Sequence, residues 1–244
     1  MAAALQAAAR VHLAAVDSTN AECFRRAPGL RAPLWVLADE QTAGRGRRAR
    51  AWASPRGNFY ASLVQRLDDP PARLGLRSFT TALALYDAFA EVTGMTAPFA
   101  LKWPNDVLLN GGKISGILLE ASEGLLVIGI GVNLIGAPPP EAVEPGAVAP
   151  VSLLAETGLR IAPARFLDAL APAVVRHEAV LRVEGFEPIR AAFLARAARL
   201  GERIRARTGR ETREGIFETI DGDGNLILRE GAERRAIPAA DVFF

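Results

Sequence analysis

Lysine is nearly missing from this chain of 244 residues: two, Lys102 and Lys113, stand against 27 arginines, and both fall in one short segment. The chain has placed arginine wherever a cation is merely tolerated. A retained lysine therefore marks a place where a compact, mobile point charge can do what a planar fork cannot. Two rare residues also fall close together by chance, so the pair alone decides nothing. Cysteine is scarcer still. The single Cys23 excludes an internal disulfide framework and fits a reducing compartment. Two histidines, His12 and His177, lie far apart with no cysteine cluster, which leaves no transition-metal site in the sequence. No run is long and apolar enough to span a bilayer, and the alanine-rich start lacks the cationic region of a signal peptide. Net charge is only +2, too little to suggest nucleic acid or a membrane surface as the main partner. A soluble cytoplasmic protein is expected.

What is present is an ordinary globular composition, half hydrophobic and 23% charged. Apolar runs at Val11–Val16, Leu34–Ala38, Phe59–Val64, Phe99–Trp103, Ile114–Glu120 and Leu125–Leu134 read as strands of a mixed sheet. Helical spacing appears over 74–93, ending at Gly94, and over 163–199 as two helices parted around Gly185 and Pro188. Gly136–Pro150, with five prolines, is a loop long enough to be functional or disordered. Beyond residue 200 the pattern changes to short alternating strands, with a strong hairpin signal at Asp221–Asn225. The expected organisation is an α+β domain over 1–198 and a small β module over 199–244, too small to be confidently independent.

Four constellations carry chemistry. Gln41 through Trp52 packs four arginines, Arg45, Arg47, Arg48 and Arg50, between Gly44, Gly46 and Trp52. It reads as a solvated loop, a nucleic-acid patch or a small-anion pocket, and the glycine spacing and the single adjacent tryptophan favour the pocket. Lys102-Trp103-Pro104-Asn105-Asp106 leads into Gly111-Gly112-Lys113, which sets a lone ammonium at the start of a buried-looking strand. Such a charge needs an anionic partner or a function. An Asx-type turn is a sufficient account of Asn105. Asp17-Ser18-Thr19-Asn20 opens a helix, with Thr19 and Glu22 spaced as a capping box or as polar groups for a neutral ligand. Gly129-Ile130-Gly131-Val132-Asn133 alone is only a kinked strand with a terminal amide.

In this order and spacing the pieces resemble the biotin–protein ligase family, over most of residues 17–133 and with a fitting C-terminal module. The resemblance implies a class II aminoacyl-tRNA synthetase-like, biotin–lipoate ligase-like fold with a C-terminal SH3-like β-barrel. It implies adenylation of biotin by ATP with Mg²⁺, then transfer to a lysine of a biotin carboxyl carrier protein, and it admits a homodimer. It implies Lys113 and Arg47 as catalytic residues meeting carboxylate and phosphate. Biotin would be held by Ser18, Thr19, Asn20, Gln41, Gly44, Arg45, Gly46, Gly116 and Leu118, together with Arg47 and Lys113. The nucleotide side would take Arg48, Arg50, Trp52, Asn105, Asp106 and Asn133. Ala49 stands where the family often has glycine. Nothing before Val11 reads as a winged-helix DNA-binding domain, so no repressor role is expected. The rival readings are a lipoate or octanoate ligase or transferase of the same superfamily and, more remotely, a nonenzymatic binding module with a basic loop.

Overall fold

The computed structural model describes residues 5–67, 69–209 and 211–244. Seven strands form one mixed sheet: β1 (Ala9–Leu13), β2 (Leu34–Ala38), β3 (Phe59–Arg66), β4 (Phe99–Lys102), β5 (Asp106–Leu109), β6 (Gly112–Ser122) and β7 (Leu125–Val132). Their order is β1-β2-β3-β7-β6-β5-β4, with β1 parallel to β2 and the other neighbours antiparallel. β2 is buried along its whole length and β3 at all but its last residue, so both read as continuous apolar runs rather than alternating ones.

The helices are α1 (Thr19–Arg26), α2 (Pro71–Leu74), α3 (Arg77–Thr93), α4 (Leu153–Thr157), α5 (Pro163–Val183) and α6 (Phe186–Leu194). Helices α3, α5 and α6 share the main core with one face of the sheet. Phe89 there packs against Phe99 and Phe166, and Phe79 against Phe186 and Phe193. Among the described residues the other face has only α1 as a helix, which closes a small cluster that includes Cys23, Ala27, Val36, Val64 and Val127. That thin cover matters for function, because it leaves the β6–β7 end of the same face open as the floor of a cavity.

Several local expectations are revised. The helix cap is Ser18, whose hydroxyl accepts from the Ala21 amide at 3.5 Å, so Thr19 is the first helical residue and its spacing to Glu22 is not a capping box. Strand β5 occupies a stretch that reads as a turn; at four residues it is too short to show a period. Asn105 makes no Asx turn: among the described residues its Oδ1 accepts from Arg47 at 3.4 Å rather than from a following backbone N–H, and its Nδ2 donates across to Ile117 O at 2.7 Å. Pro188 lies inside the first turn of α6, where a missing N–H costs nothing, and Gly185 alone, at φ 84°, parts the helices. Helix α4, capped by Ser152, has no counterpart among the expected elements. Among the described residues no helix is long and apolar enough to cross a membrane.

The C-terminal strands are β8 (Arg203–Arg207), β9 (Thr212–Ile220), β10 (Leu226–Glu230), β11 (Glu233–Ile237) and β12 (Asp241–Phe243), ordered β11-β10-β9-β8-β12. Consecutive strands β11 and β12 lie at opposite edges. The four residue steps between Ile237 and Asp241 reach at most about 14 Å, so the sheet must curl on itself. Hydrogen bonds do not close it into the expected barrel, since β12 is three residues long and pairs only with β8. The module docks through its hairpin: Trp103 Nε1 donates to Gly224 O at 3.0 Å, and that turn packs on Phe79 of α3 and on Leu76 just before it.

Candidate active site

Strand register decides which side chains share the open face. Ser62 pairs with Gly129, Gly129 with Leu118, Gly131 with Gly116, Val127 with Glu120 and Gly116 with Asp106. A period of two therefore puts Tyr60, Ser62, Gly129, Gly131, Gly116, Leu118, Glu120 and Asp106 on one side. Lys113 lies three residues from Gly116 and by that period faces away. A bulge in the β5–β6 pairing opposes Leu108 to Lys113 while Val107 still pairs with Ser115, and so turns Lys113 onto the face of Asp106. Two of the glycines admit bulky neighbours. A Cβ on Gly129 would meet Asn20 Oδ1 at 2.2 Å, and one on Gly131 would meet the Trp52 ring at 2.6 Å. The resulting cavity, about 760 Å³, has two chemically different ends.

One end is neutral. Gln41 Oε1 accepts from the Thr19 amide at 2.9 Å and from the Thr19 hydroxyl at 3.1 Å, which turns the Gln41 amide nitrogen toward Ser54 Oγ at 3.1 Å. Ser62 Oγ lies 2.7 Å from Thr19 Oγ1 and 2.6 Å from Asn20 Oδ1, and Asn20 Nδ2 donates to Glu120 Oε2 at 2.7 Å. Arg45 Nη2 stands 3.7 Å from the other Glu120 oxygen. Ser18, Thr19, Asn20 and Ser62 are buried, so this cluster is fixed before any ligand arrives.

The other end is charged. Asp106 sits between the chain's only two lysines, with Lys113 Nζ at 2.7 Å and Lys102 Nζ at 3.5 Å. Burial opposes ionisation of Asp106, but Lys113 and Lys102 outweigh it and hold the carboxyl below its usual range. Burial likewise pulls Lys102 down, partly offset by Asp106. Lys113 is also pinned by its backbone, its N–H donating to Ala149 O at 2.8 Å and its carbonyl accepting from Val151 N at 3.0 Å. Trp52 lies across Gly116 and Gly131 with its ring centroid 5.6 Å from Lys113 Nζ. Trp52 Nε1 and Asn133 Oδ1, both in the lining, are buried with no hydrogen-bond partner among the described residues.

The arginine loop covers this end. Arg48 and Arg50 each meet Asp241 Oδ2 at 2.6 Å, Arg50 meets Glu144 at 3.2 Å, and Arg207 binds both carboxylates. Loop, C-terminal module and proline-rich segment are thereby tied together. Burial disfavours the Asp241 charge, yet Arg207 and Arg50 hold its carboxyl below its usual range. Arg47 differs from its neighbours. Its guanidinium reaches only Asn105 Oδ1 at 3.4 Å and Ala240 O at 3.3 Å, with no carboxylate in ion-pair distance among the described residues. Burial lowers its pKa. An uncompensated, half-buried cation favours an anion in the adjoining cavity. Arg48 and Ala49 take left-handed backbones at φ 55° and 57°, which accounts for a preference for glycine at position 49.

Of the residues that the resemblance assigned to biotin or the nucleotide, all line the cavity except Arg48, which turns to Asp241. Sequence reasoning missed Ser62, Ser54, Glu120, Glu144 and Asp241. A polar residue inside the apolar run Phe59–Val64 was the available signal for Ser62, and the carboxylate ending Ile114–Glu120 was the signal for Glu120.

Residues 13–133 match the Biotin/lipoate A/B protein ligase family and residues 200–244 the Biotin protein ligase C terminal domain. The chain is 57% identical over 237 residues to a biotin--[acetyl-CoA-carboxylase] ligase of Paracoccus denitrificans, covering 95% of this chain and 99% of that one. A Mycobacterium tuberculosis protein of the same name is 34% identical over 238 residues, covering 94% and 86%. In three dimensions the chain is similar to the biotin protein ligase from Aquifex aeolicus in complex with biotin and ATP. The TM-score is 0.83 at 25% identity, covering 96% of this chain and 97% of that one.

Proposed function

The chain belongs to the biotin/lipoate A/B protein ligase family, and from that premise we propose how its site divides the work of the reaction. The protein is an ATP-dependent biotin ligase, which makes biotinyl-5′-AMP and passes biotin to a carrier protein. A single observation carries the assignment of roles: Lys113 and the unpaired Arg47 face one cavity end while the other end offers only neutral hydrogen-bonding groups and Arg45.

Ser18, Thr19, Asn20, Gln41 and Arg45 take the ureido head of biotin, and Gly44, Gly46, Gly116 and Leu118 wall its rings and chain. The carboxylate then lies toward Lys113 and Arg47. One carboxylate oxygen attacks the α-phosphorus of ATP, and the bond to the pyrophosphate oxygen breaks with its electron pair leaving on pyrophosphate. Two anions must approach, so the two cations neutralise them and stabilise the charge developing on phosphorus. A mobile ammonium can follow that charge from carboxylate to phosphate, and Asp106 holds it in place between times. Arg50, Trp52, Asn105, Asp106 and Asn133 face the nucleotide. Arg48 supports the loop through Asp241 rather than touching the ligand.

Among the described residues no three acidic, histidine or cysteine side chains cluster as a metal cage. That donor set fits Mg²⁺ carried chiefly by the ATP phosphates and water, and Asp106 and the unpartnered oxygen of Asn133 are the side-chain groups that would hold it. Bound so, it supplies charge neutralisation at the leaving pyrophosphate.

In the second step the neutral amine of an acceptor lysine attacks the acyl carbon and AMP departs. The acceptor is the carrier domain of an acetyl-CoA carboxylase. Residues 1–198 form the catalytic unit, and 199–244 steady its arginine loop through Ala240 and Asp241. The transferase alternative, which needs a cysteine nucleophile, has no candidate: Cys23 is fully buried in α1 and its thiol is pushed up to about 12. The test is biotin-dependent ATP–pyrophosphate exchange, with lipoate and octanoate as controls. Exchange supported equally by octanoate sinks the biotin assignment.

A further inference from the structure

We propose that Ser54 is a positioning residue for the head of biotin: it holds the Gln41 side-chain amide in the one orientation that offers a ligand an N–H and no acceptor. This role rests on the biotin ligase reading and deepens it, since Ser54 has no part in the assignments above. Ser54 follows the arginine loop, 13 residues beyond Gln41, and lines the same cavity.

The Ser54 hydroxyl stands between two groups. It donates to Trp52 O at 3.0 Å and accepts from Gln41 Nε2 at 3.1 Å. A backbone carbonyl can only accept, so the single Ser54 proton goes to Trp52 and a lone pair is what remains for Gln41. Only the nitrogen of the Gln41 amide can meet it. The far side of the amide enforces the same choice. The Thr19 backbone N–H can only donate, so the atom it meets at 2.9 Å is the Gln41 oxygen. Backbone groups of two separate segments, Thr19 N–H and Trp52 C=O, thus agree on one orientation, and Ser54 is the link to the second.

The hydrogen-bond capacity of Gln41 is then accounted for. Its Oε1 takes the Thr19 amide and the Thr19 hydroxyl, which fills both lone pairs. Its Nε2 has two protons; one goes to Ser54, and the other has no partner among the described residues. Gln41 therefore offers the cavity a single donor. The ureido carbonyl of biotin is an acceptor that this donor fits. A dithiolane or alkyl end has no comparable acceptor and would leave the N–H unpaired.

Gly44 packs over the same atoms. A Cβ there would meet Ser54 Oγ at 2.7 Å, Trp52 O at 2.8 Å and Gln41 Nε2 at 2.9 Å, so only glycine leaves the three undisturbed. Trp52 is also bound through its own N–H to Gly44 O at 2.9 Å, which keeps the base of the loop in place when the serine hydroxyl is removed.

Ser54→Ala takes the acceptor from Gln41 and leaves Gln41 itself present. In biotin-dependent ATP–pyrophosphate exchange it is expected to raise the KM for biotin about fivefold, the scale of one hydrogen bond, with kcat within about twofold and the KM for ATP unchanged. Ser54→Thr, which keeps the hydroxyl, should return the biotin KM to within about twofold of wild type. The double variant separates orientation from packing. In a Gln41→Ala background, Ser54→Ala should change the biotin KM by less than about twofold, because the group it orients is gone. The proposal is overturned if Ser54→Ala leaves the biotin KM unchanged, if biotin and ATP constants rise together, if Ser54→Thr is no better than Ser54→Ala, or if the effects of the Ser54 and Gln41 substitutions multiply. Absence of biotin-dependent exchange in the wild-type protein is a different result, since it overturns the ligase reading itself.

Discussion

The two ends of the cavity are built on opposite plans. At the neutral end Thr19, Asn20, Ser62 and Glu120 come from α1, β3 and β6, regular elements whose register fixes them, Gln41 and Ser54 join them from the loop after β2, and each finds its partner within the cluster. At the charged end the cations come mostly from a loop, and the carboxylates that hold it, Glu144 and Asp241, come from far along the chain and are shared with Arg207. A neutral hydrogen-bonding pattern discriminates by shape and direction, which demands rigidity. A charged site must follow an anion through bond making and breaking, which demands groups that can exchange partners. The difference sets a head pocket anchored on regular elements against a charged end closed by long-range loop contacts.

The severest challenge to that division is Lys113→Arg. Charge is kept, but the fork cannot occupy a point-charge site beside Asp106. A loss of at least a hundredfold in ATP–pyrophosphate exchange is expected, with biotin binding nearly intact, on the scale of removing one transition-state donor (~3 kcal/mol). Near-normal exchange would erase the chemical end of the comparison. Gly129→Ala attacks the other side. Its methyl group displaces Asn20, so overpacking should cost about 1–3 kcal/mol in unfolding free energy and raise the biotin KM, while the ATP KM stays put. If both constants move equally, the ends are not independent.

Asp241→Asn sharpens the contrast. Losing a partly exposed ion-pair partner should cost about 1 kcal/mol, a roughly fivefold rise in ATP KM, and it should fade in high salt. The sign with pH follows from the lowered pKa. The Asp241 carboxyl contributes fully above its ordinary value of 3.8, and its contribution is lost as pH falls through the lower folded value. Melting temperatures of wild type and Asp241→Asn should therefore converge below that pH and stay apart above it. The smallest effect belongs to Ala49→Gly, which relieves a left-handed alanine worth about 1 kcal/mol. It should slow proteolysis within the arginine loop without changing the KM for biotin.

The sequence revealed the charged end better than the neutral one, for a physical reason. A lone lysine at the start of an apolar strand demands an anion, and Asp106 supplies it; the run of arginines is visible without any fold. Ser62 and Glu120 look unremarkable in their strands, because their importance lies in register: Ser62 pairs with Gly129 and Glu120 with Val127, the next β7 position on the same face. Asp241 was hidden for another reason. Its strand is three residues long, and its loop partners Arg48 and Arg50 are about 190 residues away in the chain. The mixed sheet and the C-terminal strands were legible from apolar runs and turn signals. The bulge at Lys113 was not, since an extra residue leaves no mark in composition or period.

That bulge has a consequence for how the site could change. It is a half-period phase shift within one strand, with Lys113 on one side of it and Gly116, Leu118 and Glu120 on the other. The two ends of the ligand are thus read by the same ribbon in two different phases. A deletion of one residue between 109 and 113 would restore perfect alternation and, by doing so, turn the ammonium to the opposite side of the sheet while leaving the head pocket untouched. The irregularity is what keeps recognition and reaction on a single surface.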